Sequence, residues 1–172
     1  MREGEPSRAV YLVASGALIL RQRLGDGGHR VVGFRLPGEL VGMEARARGE
    51  HPYTARALVA TSVCQLNLPP ATGMQASNAL LERLLLKCAA QLDTAAPWAD
   101  LPASERVAAF VADFARRAQG KGSPMGLIRL PMTRADIGSY LGLAEETVVR
   151  SLRQLSSRRQ LTVKGRAVGL GG

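Results

Sequence analysis

Thr133-Arg134-Ala135-Asp136-Ile137-Gly138-Ser139-Tyr140-Leu141-Gly142-Leu143-Ala144-Glu145-Glu146-Thr147-Val148-Val149-Arg150-Ser151-Leu152-Arg153-Gln154-Leu155 reads as two short helices joined by a tight turn. Thr133 is an N-cap candidate, because its hydroxyl can accept from an orphan amide of the first turn. Asp136, three residues on, suits both that cap and the positive end of the helix dipole. Ile137, Tyr140 and Leu141 fall at helical spacing and give the first helix an apolar face. Gly142 stands where a left-handed residue ends a helix, a conformation glycine takes without steric cost. A second helix starts almost at once, with Glu145 and Glu146 at its positive end. So short a turn between two helices is the helix-turn-helix arrangement.

The second helix has two faces. At about 100° per residue, Val148, Leu152 and Leu155 share one face, bordered by Ala144 and Arg159. Glu146, Val149, Arg150 and Arg153 share the opposite face. The first set can pack on the preceding helix, and the second is suited to a DNA major groove. The planar fork of arginine matches the two acceptors of guanine. Glutamate accepts from the cytosine amino group, and valine touches a thymine methyl. Taken alone, this face also suits an ordinary solvated helix.

Met132 to Leu143, followed by Glu146-Thr147-Val148 and Arg150, resembles the DNA-binding segment of the CRP/FNR family of bacterial transcription regulators, and within it the FNR branch. The resemblance implies that Glu146, Val149 and Arg150 face the bases. It implies backbone contacts from Thr133, Arg134, Thr147, Arg153, Lys164 and Arg166. Val149 stands where the FNR branch has serine and the CRP branch glycine. Valine cannot hydrogen-bond a base, so the outer part of the half-site is expected to depart from the FNR type.

The charge is unevenly placed along the 172 residues. Residues 1–114 hold 12 Lys/Arg against 11 Asp/Glu, and residues 115–172 hold 11 against 3. The basic excess lies with the helix-turn-helix, as expected of a phosphate-binding module joined to a roughly neutral one. Hydrophobic residues make up 46% of the chain, which excludes a disordered tail. No apolar run is long enough to cross a bilayer, and Met-Arg-Glu-Gly-Glu-Pro is no signal peptide. A basic amphipathic helix with large apolar anchors, as a membrane surface would require, is absent. Two cysteines, Cys64 and Cys88, make no disulfide framework, so a reducing cytoplasm is expected.

Residues 10–70 read as short strands separated by turns. Val10 to Val13, Ala17 to Leu24, His29 to Leu36, Leu40 to Gly42, Thr54 to Leu58 and Ser62 to Leu68 are the runs. Leu18, Leu20, Gln22 and Leu24 fall on one face of the second. Gly25-Asp26-Gly27-Gly28 and Pro37-Gly38 are turns. The pattern predicts a barrel or sandwich. Tyr11-Leu12-Val13-x-x-Gly16, then Gly33-Phe34-x-Leu36-Pro37-Gly38-Glu39-Leu40-Val41-Gly42, then Ala57-Leu58 to Cys64, resembles the sensory β-roll of the same family. The match enters that β-roll late, so a partial β-roll is expected.

Met74, Leu81, Leu84, Leu85, Cys88 and Leu92 form an apolar stripe that calls for a partner. In the family this is the dimerisation helix. Pro97 and Pro102 end it near Ala96. A helix restarts at Ala103 and runs to about Ala118, and Gln119 to Pro124 is a loop. Ile128-Arg129-Leu130 is a short strand. Leu161 to Val168 is a hairpin, the wing of a winged helix, with Lys164 and Arg166 available to phosphates. The expected fold is therefore α+β. It has an N-terminal, partial, cupin-like β-roll over 1–73, a long dimerisation helix over 74–98 and a C-terminal winged helix-turn-helix over 99–172.

An iron–sulfur cluster needs about four thiolates. Cys64 sits where the resemblance places one ligand of the FNR branch, but the chain offers no set of four. The residues themselves read Cys64 as a buried strand residue and Cys88 as a small apolar helix residue. Cyclic nucleotide binding in the family uses a glutamate just after the glycine of the Pro-Gly-x-x-x-Gly turn and an Arg-Ser pair further on. Here Met43 follows Gly42, Glu44 comes one place later, and Glu50-His51-Pro52-Tyr53 holds no such pair. Arg46, Arg48 and Arg56 read as solvated loop residues. His29 and His51 have no metal-ligand spacing, and no catalytic motif is present. The expectation is no enzyme and no cofactor in this chain, with an iron–sulfur cluster only if further cysteines lie outside it. The chain reads as a sequence-specific regulator that binds double-stranded DNA as a homodimer, with RNA polymerase as the partner the family implies. The alternative is an interaction module, incompetent for DNA or heterodimeric, that modulates a full-length relative.

Overall fold

Short strands punctuated by glycine turns fold the first part of the chain into two antiparallel sheets. The computed structural model describes residues 1–6, 9–66, 98, 100–119 and 127–170. It divides the chain into two units, Met1–Ala95 and Ala96–Gly172. The expected dimerisation helix, with Leu81, Leu84, Leu85, Cys88 and Leu92 and its end near Ala96, lies outside the described residues, as does most of the expected loop at 119–124.

The first unit holds β1 (Val10–Ser15), β2 (Leu18–Arg23), β3 (His29–Arg35), β4 (Leu40–Val41), a short helix α1 (Met43–Arg48), β5 (Thr54–Ala57) and β6 (Ser62–Leu66). One sheet runs β4-β1-β6 and the other β3-β2-β5. Tyr11 lies opposite Val41 and Leu12 opposite Leu40. Alternation along the strand then sends Val13 and Val41 to one face and Val10 and Leu40 to the other. The first pair joins Leu18, Leu20 and Tyr53 in the larger buried cluster, and the second pair forms a smaller one. The β2–β3 hairpin closes at Gly25 to Gly28, where Asp26 Oδ1 accepts from the Gly28 amide at 2.8 Å.

Three local expectations are corrected here. Leu18, Ile19 and Leu20 are all buried, so β2 is covered on both faces there, and a bulge between Leu20 and Arg21 breaks the alternation before Leu24, which ends exposed beyond the strand. Residues 43–48 are helical, bounded by the left-handed Gly42 and Gly49, because Ala45 is fully buried and Met43 packs on the Val10–Leu40 cluster. Cys64 is exposed on β6, which pairs with β1.

The second unit holds α2 (Ala103–Gln119), β7 (Ile128–Arg129), α3 (Arg134–Leu141), α4 (Glu145–Ser157), β8 (Leu161–Lys164) and β9 (Ala167–Leu170). Val107, Phe110, Val111, Phe114 and Ala115 line one stripe of α2 at helical spacing, and all are buried. Phe110 stands among Trp98, Phe114 and Tyr140 with ring centroids 5.8–6.5 Å apart, so α2 and α3 meet through aromatic packing. The antiparallel sheet β7-β9-β8 supplies Ile128, Leu161 and Val168 to the same core. This is the winged helix-turn-helix expected from the sequence.

Candidate nucleic-acid interface

Caps set the position of the helix pair. Thr133 is extended and its Oγ1 accepts from the Asp136 amide at 3.0 Å, while the Thr133 amide donates to Asp136 Oδ2 at 3.0 Å. This reciprocal box satisfies two orphan amides at the start of α3. At the other end Gly142 is left-handed, with φ 67°. The Gly142 and Leu143 amides both donate to the Gly138 carbonyl, the second at 2.8 Å. Arg106 of α2 donates through Nη1 to the Leu141 carbonyl and through Nη2 to that of Leu101. An end-of-helix carbonyl is thereby satisfied and the turn is tied to α2.

The α4 helix packs on the unit through Val148, Ser151, Leu152 and Leu155, all buried. Glu146, Arg150 and Arg153 are exposed on the other side, with Val149 half-buried beside them. They share one surface depression with Glu145. Among the described residues no carboxylate pairs with Arg150 or Arg153. Arg150 Nη2 makes only a long contact of 3.5 Å with Thr147 Oγ1. Outward-facing cations left unpaired beside a carboxylate form a surface able to exchange water for base edges and phosphates. Ala144 caps α4 without a side-chain hydrogen bond. The helix ends at Ser157, and Arg159 lies beyond it with φ 59°, so the expectation that Arg159 borders the apolar face is corrected.

The wing stands beside α4. Lys164 and Arg166 are exposed at its turn, around the left-handed Gly165. The Leu130 amide donates to the Arg166 carbonyl at 2.9 Å, and Arg134 Nη2 donates to the Gly165 carbonyl at 2.8 Å. Burial holds the Arg134 guanidinium below the usual arginine range, and nearby Arg166 adds to the effect. Arg134, Val149, Leu152, Arg153, Val163 and Gly165 line a cleft of ≈ 700 Å³ between wing and helix.

The residues singled out from sequence therefore separate into groups. Glu146, Val149, Arg150 and Arg153 come together on one face of α4, and Lys164 and Arg166 come together on the wing. Thr133 and Arg134 have partners within the protein, one in the cap and the other on the wing. Sequence reasoning missed Gly138, where an added Cβ would lie 2.5 Å from the Leu143 carbonyl oxygen. It missed Arg106 as well, because a long-range side-chain tie leaves no local signature.

In the first unit Tyr53 Oη donates to Glu44 Oε2 at 2.6 Å, and Arg35 Nη2 lies 3.9 Å from Glu44 Oε1. Burial and the adjacent Glu44 raise the Tyr53 phenol well above its usual range, so it stays a donor. The Glu44 carboxylate is thus engaged by the chain's own side chains, and this set does not fit the cyclic-nucleotide pattern of a glutamate with an Arg-Ser pair. Cys64 is exposed on β6, and the two cysteines of this sequence are half the number an iron–sulfur cluster needs, so a cluster would require further cysteines outside it.

Two family models match the chain. The Crp-like helix-turn-helix domain matches residues 105–170, and the cyclic nucleotide-binding domain matches residues 1–74. The transcriptional activator protein Anr of Pseudomonas protegens is 31% identical over 97% of this chain and 70% of its own length. The fumarate and nitrate reduction regulatory protein of Escherichia coli is 30% identical over 97% of this chain and 69% of its own length. Among solved structures, FixK2 from Bradyrhizobium japonicum superposes with a TM-score of 0.81 at 35% identity, covering 98% of this chain and 85% of that one. The CRP/FNR family regulator TTHA1359 from Thermus thermophilus, at 20% identity, shares the fold with a TM-score of 0.74 over 100% of this chain and 88% of that one.

Proposed function

This chain belongs to the CRP/FNR family of transcription regulators, and from that premise we propose that it binds a two-fold symmetric DNA site as a homodimer, one half-site per protomer. Glu146 and Arg150 read a G·C-containing core. Arg150 supplies the bidentate donor for guanine and Glu146 the acceptor for the cytosine amino group. Val149 contributes an apolar surface without a hydrogen bond, so the outer half-site departs from the FNR type. Arg153, Lys164 and Arg166 meet phosphates, with Thr147 beside them. The apolar segment at 74–98 pairs the two protomers. RNA polymerase is the further partner. The protein works in the cytoplasm by binding, without catalysis, and an iron–sulfur cluster would need further cysteines outside this sequence.

The observation that supports this reading most directly is the division of α4. Val148, Ser151, Leu152 and Leu155 are buried, while Glu146, Arg150 and Arg153 on the other side are exposed. Selection of bound duplexes from a random library gives the site, and footprinting on it tests the assignment. Arg150→Ala should weaken specific binding by about 1–3 kcal/mol and relax the preference at one G·C pair. Equal protection of the selected site by wild type and variant would remove Arg150 from this role.

A further inference from the structure

Arg134 occupies an electrostatically poor place for a cation. It is the first residue of α3, at the positive end of that helix, where acidic residues are favoured. It is half-buried, and Arg166 lies near enough to disfavour its charge further. Among the described residues no carboxylate compensates it. Its guanidinium instead donates to the carbonyl of Gly165, the left-handed residue at the tip of the wing. On the other side of that tip, the Leu130 amide donates to the Arg166 carbonyl. A turn carrying two cations is therefore fastened to the body of the unit by the Arg134 side chain at Gly165 and, on the Arg166 side, by the Leu130 amide and the pairing of Ala167 with Arg129.

We propose that Arg134 is a positioning residue for the wing. It holds the Lys164–Arg166 turn where both cations meet DNA phosphates, and it acts on DNA through them and not as a separate phosphate contact. The inference rests on the DNA-binding reading above. The rigid planar fork of arginine suits the task, since one N–H bond to a carbonyl fixes the direction of the whole group. Without it the turn keeps the Leu130 amide and the β7–β9 pairing on the Arg166 side, and the Gly165 side loses its tie.

The test is a salt series on the full chain with a fluorescently labelled mixed-sequence duplex. The proteins compared are wild type, Arg134→Met, the Lys164→Ala/Arg166→Ala pair, and all three changes together. In the homodimer a separate phosphate contact is lost once per protomer, a step of about 1.8 in the slope of log K against log salt, and its loss would add to that of the wing pair. The positioning role predicts that Arg134→Met alone removes roughly two such steps, and that it subtracts almost nothing once Lys164 and Arg166 are gone. In the free protein, the Lys164 and Ala167 amides of Arg134→Met should exchange on the order of tenfold faster, with the α4 amides unchanged. Should Arg134→Met fail to fold, Arg134→Gln decides, because it keeps a donor for Gly165 and loses the charge. A slope close to wild type supports positioning, and a loss of one step overturns it. A wild-type protein with no salt-dependent DNA binding would sink the underlying reading. Normal wild-type binding with additive single steps overturns the role of Arg134 alone.

Discussion

A methyl group on Gly138 would stand 2.5 Å from the Leu143 carbonyl oxygen. The Leu143 amide already donates to the Gly138 carbonyl at 2.8 Å, so the two backbones lie directly against each other across the turn. Gly138→Ala must push α3 and the turn apart, and overpacking of this kind costs about 1–3 kcal/mol. Trp98 is the chain's single tryptophan and touches the rings of Phe110 and Tyr140, so its fluorescence reports on the unit that would be weakened. A denaturation midpoint equal to wild type would show that the turn yields without cost. This residue was not legible in the sequence, whereas Gly142 was. A left-handed helix end leaves a local signal, a glycine after the last apolar residue. Close approach of a backbone five residues away leaves none. The exposure of Cys64 was hidden for a related reason, because what covers the faces of β6 is set by the rest of the fold and not by the strand's own sequence. Glu146, Arg150 and Arg153 were legible as an outward face because their angular positions follow from the helix alone.

The helix-turn-helix was readable as an element because each of its boundaries carries its own chemistry. Thr133 and Asp136 form the expected box, and Gly142 stops α3 where expected. Removing the Thr133 hydroxyl leaves the Asp136 amide without its acceptor and costs about 1 kcal/mol. Thr133→Ala should therefore lower the stability of the second unit by that amount. It should weaken DNA binding without altering the salt slope, since no phosphate contact is lost. A reduced slope at unchanged stability would instead assign Thr133 to a phosphate. The turn-bounded strands of the first unit were equally legible. The helix α1 was not, because Leu40-Val41-Gly42 reads as a strand and six residues are too few to display a period. The end of α4 was overestimated in the same way. Periodicity continues to Arg159 on paper, but the backbone turns left-handed there.

Across the whole molecule the charge division has a measurable consequence. Residues 115–172 carry 11 Lys/Arg and 3 Asp/Glu. Arg153, Lys164 and Arg166 are exposed, with no carboxylate paired to them among the described residues. If each protomer places these three cations on phosphates, a dimer releases counterions from about six, and the slope of log K against log salt is roughly −5. Raising salt from about 50 to about 200 mM should then lower affinity on the order of a thousandfold. The proposed two-fold pairing rests on the apolar stripe at 74–98, and that stripe supplies the control. Leu85→Asn places an amide in the expected seam, where an unpartnered polar group costs a few kcal/mol, without changing the charge. The variant should sediment as a monomer and bind the same duplex with about half the slope, near −2.5. A variant that stays dimeric would remove 74–98 from the interface. A monomer that keeps the full slope would show that each protomer meets twice as many phosphates as Arg153, Lys164 and Arg166 supply. The further cations would then have to be sought among Arg129, Arg158 and Arg159, which complete the exposed basic set of the described second unit outside α2 once base-facing Arg150 is set aside.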